Sequence, residues 1–535
     1  MKHERLDGPS QNVAAQRPRR AVAQALQKFV TRCTVALLAI SALALAGCFG
    51  NGSNAQQPPN PPSDLAAQGQ LIFRYWTFGD EATWTNKLQM NQVIQQAVDP
   101  LTAASVGIKI DADALPSAVV AGIQNGSIPL NDPQTTLALI QMNAVVGIQG
   151  DVQTDATTGK LVLKSVGITC ALCHSTVSTD VTVTAKGDPN VPDGTVLIPA
   201  GIVGHRLDGW PNRDLNPGAI IALSPAVANT PQAAVYNSWG PGKYDARFNM
   251  FLNTTNPLTG QQRGILIFEV SNASTSPDGT TKTYDPFAVE IPPAYGLAGI
   301  SREIYTGDGD LAHEPVGPVA YWNRYVSVTQ MGGIGTFDDP RLDALGMMPV
   351  NHITDGTNVN NLPDQVTSFL PALQAYQLSI AAPNVSDPAF AAEATALGVK
   401  PDPNAVARGE QVFNGAGQCA SCHTGTLFTD ANYTLHPQPD SAARDTSYVL
   451  LSATQEWRTS PLSGIWEHPP YFHDGSGQFV ASTGKCADGS SIGSLTGTTA
   501  VTEDLACVVN MYNTKLNLGL TNQQQSDLVQ YLESL

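Results

Sequence analysis

The apolar positions of this chain fall into a few patterned stretches separated by long runs rich in Gly, Pro, Ser and Thr. Apolar residues at helical spacing predict helices over Trp84–Val98 and Pro133–Val146. The same period predicts a short amphipathic helix at Arg408–Phe413 and a longer one from Thr521 to Leu535. Residues 181–203, with a Pro-Asp-Gly turn, predict a hairpin. Ile265–Val270 and Phe287–Ile291, on either side of a Ser-Pro-Asp-Gly turn, predict a second one. Near the start, the apolar run Val35–Ala46 follows a basic lead of Arg17, Arg19, Arg20, Lys28 and Arg32. At about 12 residues it is short for a bilayer span and reads as an export signal.

Composition narrows the class. Hydrophobic content of 42% with only 14% charged residues, 47 Gly and 38 Pro fits a loop-rich globular protein rather than a coiled coil. The 535 residues are enough for several domains. The net charge is −17, and near −22 once a leader with seven basic and two acidic residues is removed. Such acidity argues against nucleic acid, whose phosphates recruit Lys and Arg. It favours a basic protein partner.

The eight cysteines divide by context. Cys33 lies in the leader. Leu45-Ala46-Gly47-Cys48 resembles the lipobox of bacterial lipoproteins, which makes Cys48 the expected lipidation site and the 51–63 stretch a flexible tether. Cys486 and Cys507 are expected to form a disulfide in an oxidising compartment. The other four form two CxxCH motifs, Cys170-Ala171-Leu172-Cys173-His174 and Cys419-Ala420-Ser421-Cys422-His423. Two thiols three residues apart on one helical turn can reach the two vinyl groups of a haem. The adjacent His is then carried under the iron. Zinc would need ligands from two motifs some 250 residues apart. The expectation is an exported c-type cytochrome with two covalent haems on Cys170, Cys173, Cys419 and Cys422, and with His174 and His423 as proximal ligands. Its fold is expected to be mainly α. No phosphate-binding Gly loop or Ser-His-Asp elbow is present to suggest other chemistry.

Around the second motif, Trp457-Arg458-Thr459-Ser460-Pro461-Leu462-Ser463-Gly464-Ile465-Trp466 and Pro469-Pro470-Tyr471-Phe472-His473-Asp474-Gly475-Ser476 closely resemble the C-terminal domain of the bacterial dihaem cytochrome c peroxidase/MauG family. The likeness covers about residues 400–535 and extends more loosely over 165–345. It implies two cytochrome c-like domains. The N-terminal haem would react with peroxide, and the C-terminal haem would pass on electrons from a donor such as a small cytochrome or cupredoxin. It implies a distal His on the first haem, matched here by His205. The second haem would take Met511, Tyr512 or His473, with Met511 favoured. The family's interhaem Trp falls on Ile304 or Tyr305, and Trp210 and Trp239 are further candidates. No Glu stands where the family keeps its peroxide acid, so Glu303, Glu314 and Gln330 are the substitutes. A pure electron carrier and a dihaem oxygenase of the rubber-oxygenase type are the rival readings. The expected organisation is a lipoprotein signal at 1–47, a tether at 48–65 and a helical region at 66–165. A first haem domain follows at 166–380, then a linker at 381–404 and a second haem domain at 405–535. The mature chain is expected in the periplasm or at the cell surface, anchored to a membrane by lipid.

Overall fold

The computed structural model describes residues 64–181, 183–186, 195–230, 232–245, 288–344, 363–437, 452–492 and 499–535, with the short pairs 274–275, 281–282 and 353–354. The leader, Cys48, most of the tether, Ile265–Val270 and His352 lie outside the described residues. The described part is one compact unit in which helices predominate over small two-stranded sheets. Mainly α is the class it supports.

Eight helices organise it: α1 (Leu65–Tyr75), α2 (Met90–Ala97), α3 (Pro133–Gln141), α4 (Pro318–Thr329), α5 (Leu370–Ser379), α6 (Pro403–Asn414), α7 (Ala500–Lys515) and α8 (Asn522–Glu533). Their starts are written in the sequence. The Asp64 carboxylate accepts the Ala66 N–H at 2.9 Å, and Asp402 does the same for Asn404 and Ala405 ahead of Pro403. Thr521 and Gln524 form a reciprocal capping box at the start of α8. The helix expected over Trp84–Val98 is instead two pieces. A π-helical turn spans Ala82–Lys87, Gln89 takes a left-handed φ of 56°, and α2 begins afresh. The Pro133–Val146 helix stops early, at Gln141.

Two helix crossings of the same design frame the molecule. In α6 × α8, a Cβ on Gly409 would stand 2.0 Å from the Asp527 carbonyl oxygen. Four residues on, Phe413 meets Tyr531 edge-on, with ring centroids 5.2 Å apart. In α1 × α5, a Cβ on Gly69 would stand 1.9 Å from the Ala372 carbonyl oxygen. Four residues on, Phe73 meets Tyr376 edge-on at 5.5 Å. In each pair the glycine lets two backbones approach where any side chain would hold them apart. This packs α1, at the start of the 66–165 region, on α5 of the 166–380 segment.

The strands serve to aim loops. The hairpin β1 (Ile148–Thr154) and β2 (Leu161–Ile168) delivers the chain to Cys170. Beyond it, β3 (Ser175–Val177) pairs antiparallel with β6 (Arg206–Asp208). The hairpin expected within 181–203 is formed by β4 (Val183–Lys186) and β5 (Thr195–Ile198). β8 (Ala288–Glu290) pairs with β7 (Lys243–Asp245). The segment 381–404 carries short helical turns at 388–390 and 391–396. It packs through Phe390 on Trp210, and Glu393 accepts the Thr179 N–H at 3.0 Å, so it is folded against its neighbours rather than a free linker. Cys486 and Cys507 form the expected disulfide, tying a strand to α7.

Candidate functional site: two CxxCH turns facing adjoining cavities

The first motif is a single helical turn, Ala171–His174. It is pinned from outside: the Gly209 N–H donates to the His174 carbonyl at 2.8 Å and the Asn212 N–H to the Cys173 carbonyl at 2.8 Å. The Gly209–Asp214 loop thus wraps this motif. The second motif is a tight 3-10 turn, Cys419–Ser421, entered through Gln418 at φ 54°. The His423 N–H closes it on the Cys419 carbonyl at 2.9 Å.

Both histidines are held in the same way. His174 Nδ1 lies 3.0 Å from the Pro292 carbonyl oxygen, and His423 Nδ1 lies 3.0 Å from that of Phe428. A carbonyl only accepts, so each Nδ1 carries the proton and each Nε2 keeps its lone pair. Such a bond fixes the ring of a metal-ligating His and makes it a better donor. Burial lowers both imidazoles, that of His174 to about 4, so both stay neutral and able to bind a metal at neutral pH. Burial pushes the thiols of Cys170 and Cys173 up to about 12 and that of Cys419 to about 11. Thiol redox centres need the opposite, a lowered thiol.

Each motif opens on a cavity. His423, Cys419 and Cys422 line one of about 400 Å³, within the range of cofactor sites. Phe413, Leu528 and Leu532 from the α6 × α8 crossing close one side, and Tyr295, Leu297 and Pro461 another. His174, Cys170 and Cys173 line a narrower one of about 60 Å³, walled by Ile304, Trp322, Val326 and Met331. The two cavities adjoin: Glu290, Pro292 and Tyr305 line both. Pro292, whose carbonyl holds His174, therefore also borders the second site. Each motif thus sets two thiols and a locked His against an apolar wall, and only the second faces a space of cofactor size.

The distal candidates fall out differently from the sequence expectation. His205 is 54% exposed, its Nδ1 sits 2.8 Å from an Asp113 carboxylate oxygen, and it does not line the first cavity. The cause is register. Ser175 faces Asp208, so His205 lies about 10 Å farther along the ladder at roughly 3.4 Å per residue. Met331 and Gln330 do line that cavity. Val508, Val509 and Tyr512 of α7, with Leu516 just past its end, line the second cavity. Met511, one residue from Tyr512 and so about 100° around the helix, is buried but does not line it. His473 does, with its ring 4.5 Å from Trp457 and 6.1 Å from Tyr305.

The other candidates resolve by their partners. Glu303 is buried against Arg458 at 2.8 Å, and Glu314 pairs with Arg324 at 2.7 Å; neither lines the first cavity. Trp210 packs on Trp466 and Trp239 on Tyr236, away from both cavities. Tyr305 is the aromatic residue shared between the sites. Sequence reasoning missed Glu290, which is 2% exposed and shared by both cavities. Arg213 at 3.1 Å and Lys243 at 3.3 Å hold it, while burial raises its carboxyl above the usual range. Only its strand position within Phe287–Ile291 was visible beforehand.

A second metal-type grouping, Cys422, Asp430 and His436, brings one ligand atom of each within 4.8 Å of the others. His436 Nε2 already lies 2.9 Å from an Asp430 oxygen, and three ligands leave a structural zinc site incomplete. No family profile matches the sequence, and no curated protein matches it either.

Proposed function

We propose that the chain is an exported dihaem c-type cytochrome oxidoreductase of the peroxidase/MauG kind. Haem would be attached at Cys170 and Cys173 with His174 beneath, and at Cys419 and Cys422 with His423 beneath. The observation that carries this is the pair of equivalent CxxCH turns. Each has its His locked Nδ1-to-carbonyl, and the two face cavities that share Glu290, Pro292 and Tyr305. When bound, haem iron supplies one-electron and oxygen chemistry. The chain's own residues do the rest. Apolar walls exclude water, and the Pro292 and Phe428 carbonyls orient the histidines. Pro292 and Tyr305, which line both cavities, would form the wall through which electrons pass from the second site to the first. A small cytochrome or cupredoxin would supply them. Glu290, a buried carboxyl on the wall of both cavities, would take the acid's part, since Glu303 and Glu314 do not line the first cavity.

With His205 away from the first cavity, the first site would be open unless Met331, which lines that cavity, closed it, and an open site would make the protein an enzyme. Spectra of the half-reduced protein with stoichiometric peroxide test this. A high-spin first haem that reacts with peroxide, with the rate reduced in Glu290→Gln, is the expected result. Two low-spin, unreactive haems that become reactive in Met331→Leu would instead identify an electron carrier.

At the second site, Tyr512 and His473 line the same cavity as His423 and would be the residues available to the haem iron. Replacing Met511 by Leu is expected to leave that haem's absorption and potential unchanged, whereas Tyr512→Phe or His473→Ala shifts them. A shift in the Met511 variant alone would overturn this assignment.

A further inference from the structure

Behind the first CxxCH turn lies a third cavity, of about 90 Å³. Trp84, Met90, Ile94, Leu139, Ile140 and Val166 form much of its wall, and Thr102 and Thr136 bring the only hydroxyls. A buried water needs two to four polar partners and roughly 10–15 Å³ of room. This space has ample room, and its two hydroxyls reach only the lower end of that requirement on an otherwise apolar wall, so an apolar guest competes with water there. An unfilled apolar void costs stability in proportion to its volume, which makes a guest favourable. The cavity is also placed to communicate. Its wall reaches the surface at Leu223, which is 49% exposed. At the other end Leu172, between the two cysteines of the motif, lines it, and Ile168 lines both this cavity and that of His174.

We propose that this cavity binds a small apolar molecule of the size of dioxygen, and that Ile168 is the barrier through which the guest passes to the first site. Binding stands on the cavity alone, while delivery rests on the haem reading given above. A polar peroxide would be disfavoured on this path and would reach the first site by another.

Xenon is the probe. The haem-loaded protein is crystallised under xenon pressure, and carbon monoxide association with the reduced first haem is timed in the native protein and in Ile168→Ala and Ile168→Phe. The expected result is a xenon atom among Ile94, Leu139 and Ile140, lost in Ala103→Phe. Association should be severalfold faster in Ile168→Ala and severalfold slower in Ile168→Phe. Should Ala103→Phe fail to fold, the xenon site in the native protein decides. Ordered water in the cavity, or no xenon there, overturns the binding proposal. Bound xenon with equal association rates in both Ile168 variants overturns delivery. Bound xenon in a chain without haem on Cys170 and Cys173 leaves binding standing and removes the haem reading instead.

Discussion

Replacing Cys419 and Cys422 together by serine is expected to halve the covalently bound haem of the exported protein, and Cys170→Ser with Cys173→Ser to remove the other half. A serine hydroxyl forms no thioether, so the iron would hang on the imidazole alone. The two variants should differ in stability. Losing the group from the second site leaves a cavity of about 400 Å³ against Phe413, Leu528 and Leu532, the contacts that also hold α6 on α8. The turn of the first site is pinned independently by Gly209 and Asn212. The second-site variant should therefore melt at the lower temperature. Haem-to-chain ratio after denaturation, read beside a thermal melt, checks both halves. Equal haem content in all variants would remove the CxxCH motifs as attachment sites.

Gly409→Ala is expected to destabilise the protein by about 3 kcal/mol, the upper range for overpacking a tight contact. The sign is informative. In an open helix interior the same change would stabilise by up to about 1 kcal/mol, since alanine is the better helix former. Here the added Cβ meets the Asp527 carbonyl oxygen at 2.0 Å and the Tyr531 Cβ at 2.8 Å, and backbone cannot step aside as a flexible side chain can. Gly69→Ala should behave alike, because its Cβ meets Ala372 and Tyr376 in the same way. Denaturant unfolding of both variants gives the numbers. A stabilised protein in either case would mean that the crossing is looser than described.

What could be read from the sequence was local. The two CxxCH turns, the cap at Asp402, the capping box at Thr521 and the pairing of Cys486 with Cys507 depend on residues whose spacing or type already fixes their geometry. The second helix crossing was visible because Gly409 lies only ten residues before Cys419. Its counterpart at Gly69, with the same Gly-x-x-x-Phe spacing, was hidden by the 101 residues before Cys170, which made α1 look like part of another region. Helical phase sets Met511 and Tyr512 on different faces, and only the fold shows that Tyr512 faces the second CxxCH turn's cavity. His205 and Glu290 were not within reach. The first depends on the strand register of β3 on β6. The second depends on pairings with Arg213 and Lys243 that no local pattern records.

Two covalent haems on this chain are tested most directly by the intact mass of the protein, expressed with c-type maturation and export and then denatured. The expected mass exceeds that of the processed chain by two haems, with the added groups on the peptides containing Cys170–Cys173 and Cys419–Cys422. A chain at its unmodified mass, with a divalent metal retained by Cys422, Asp430 and His436 under native conditions, would contradict it.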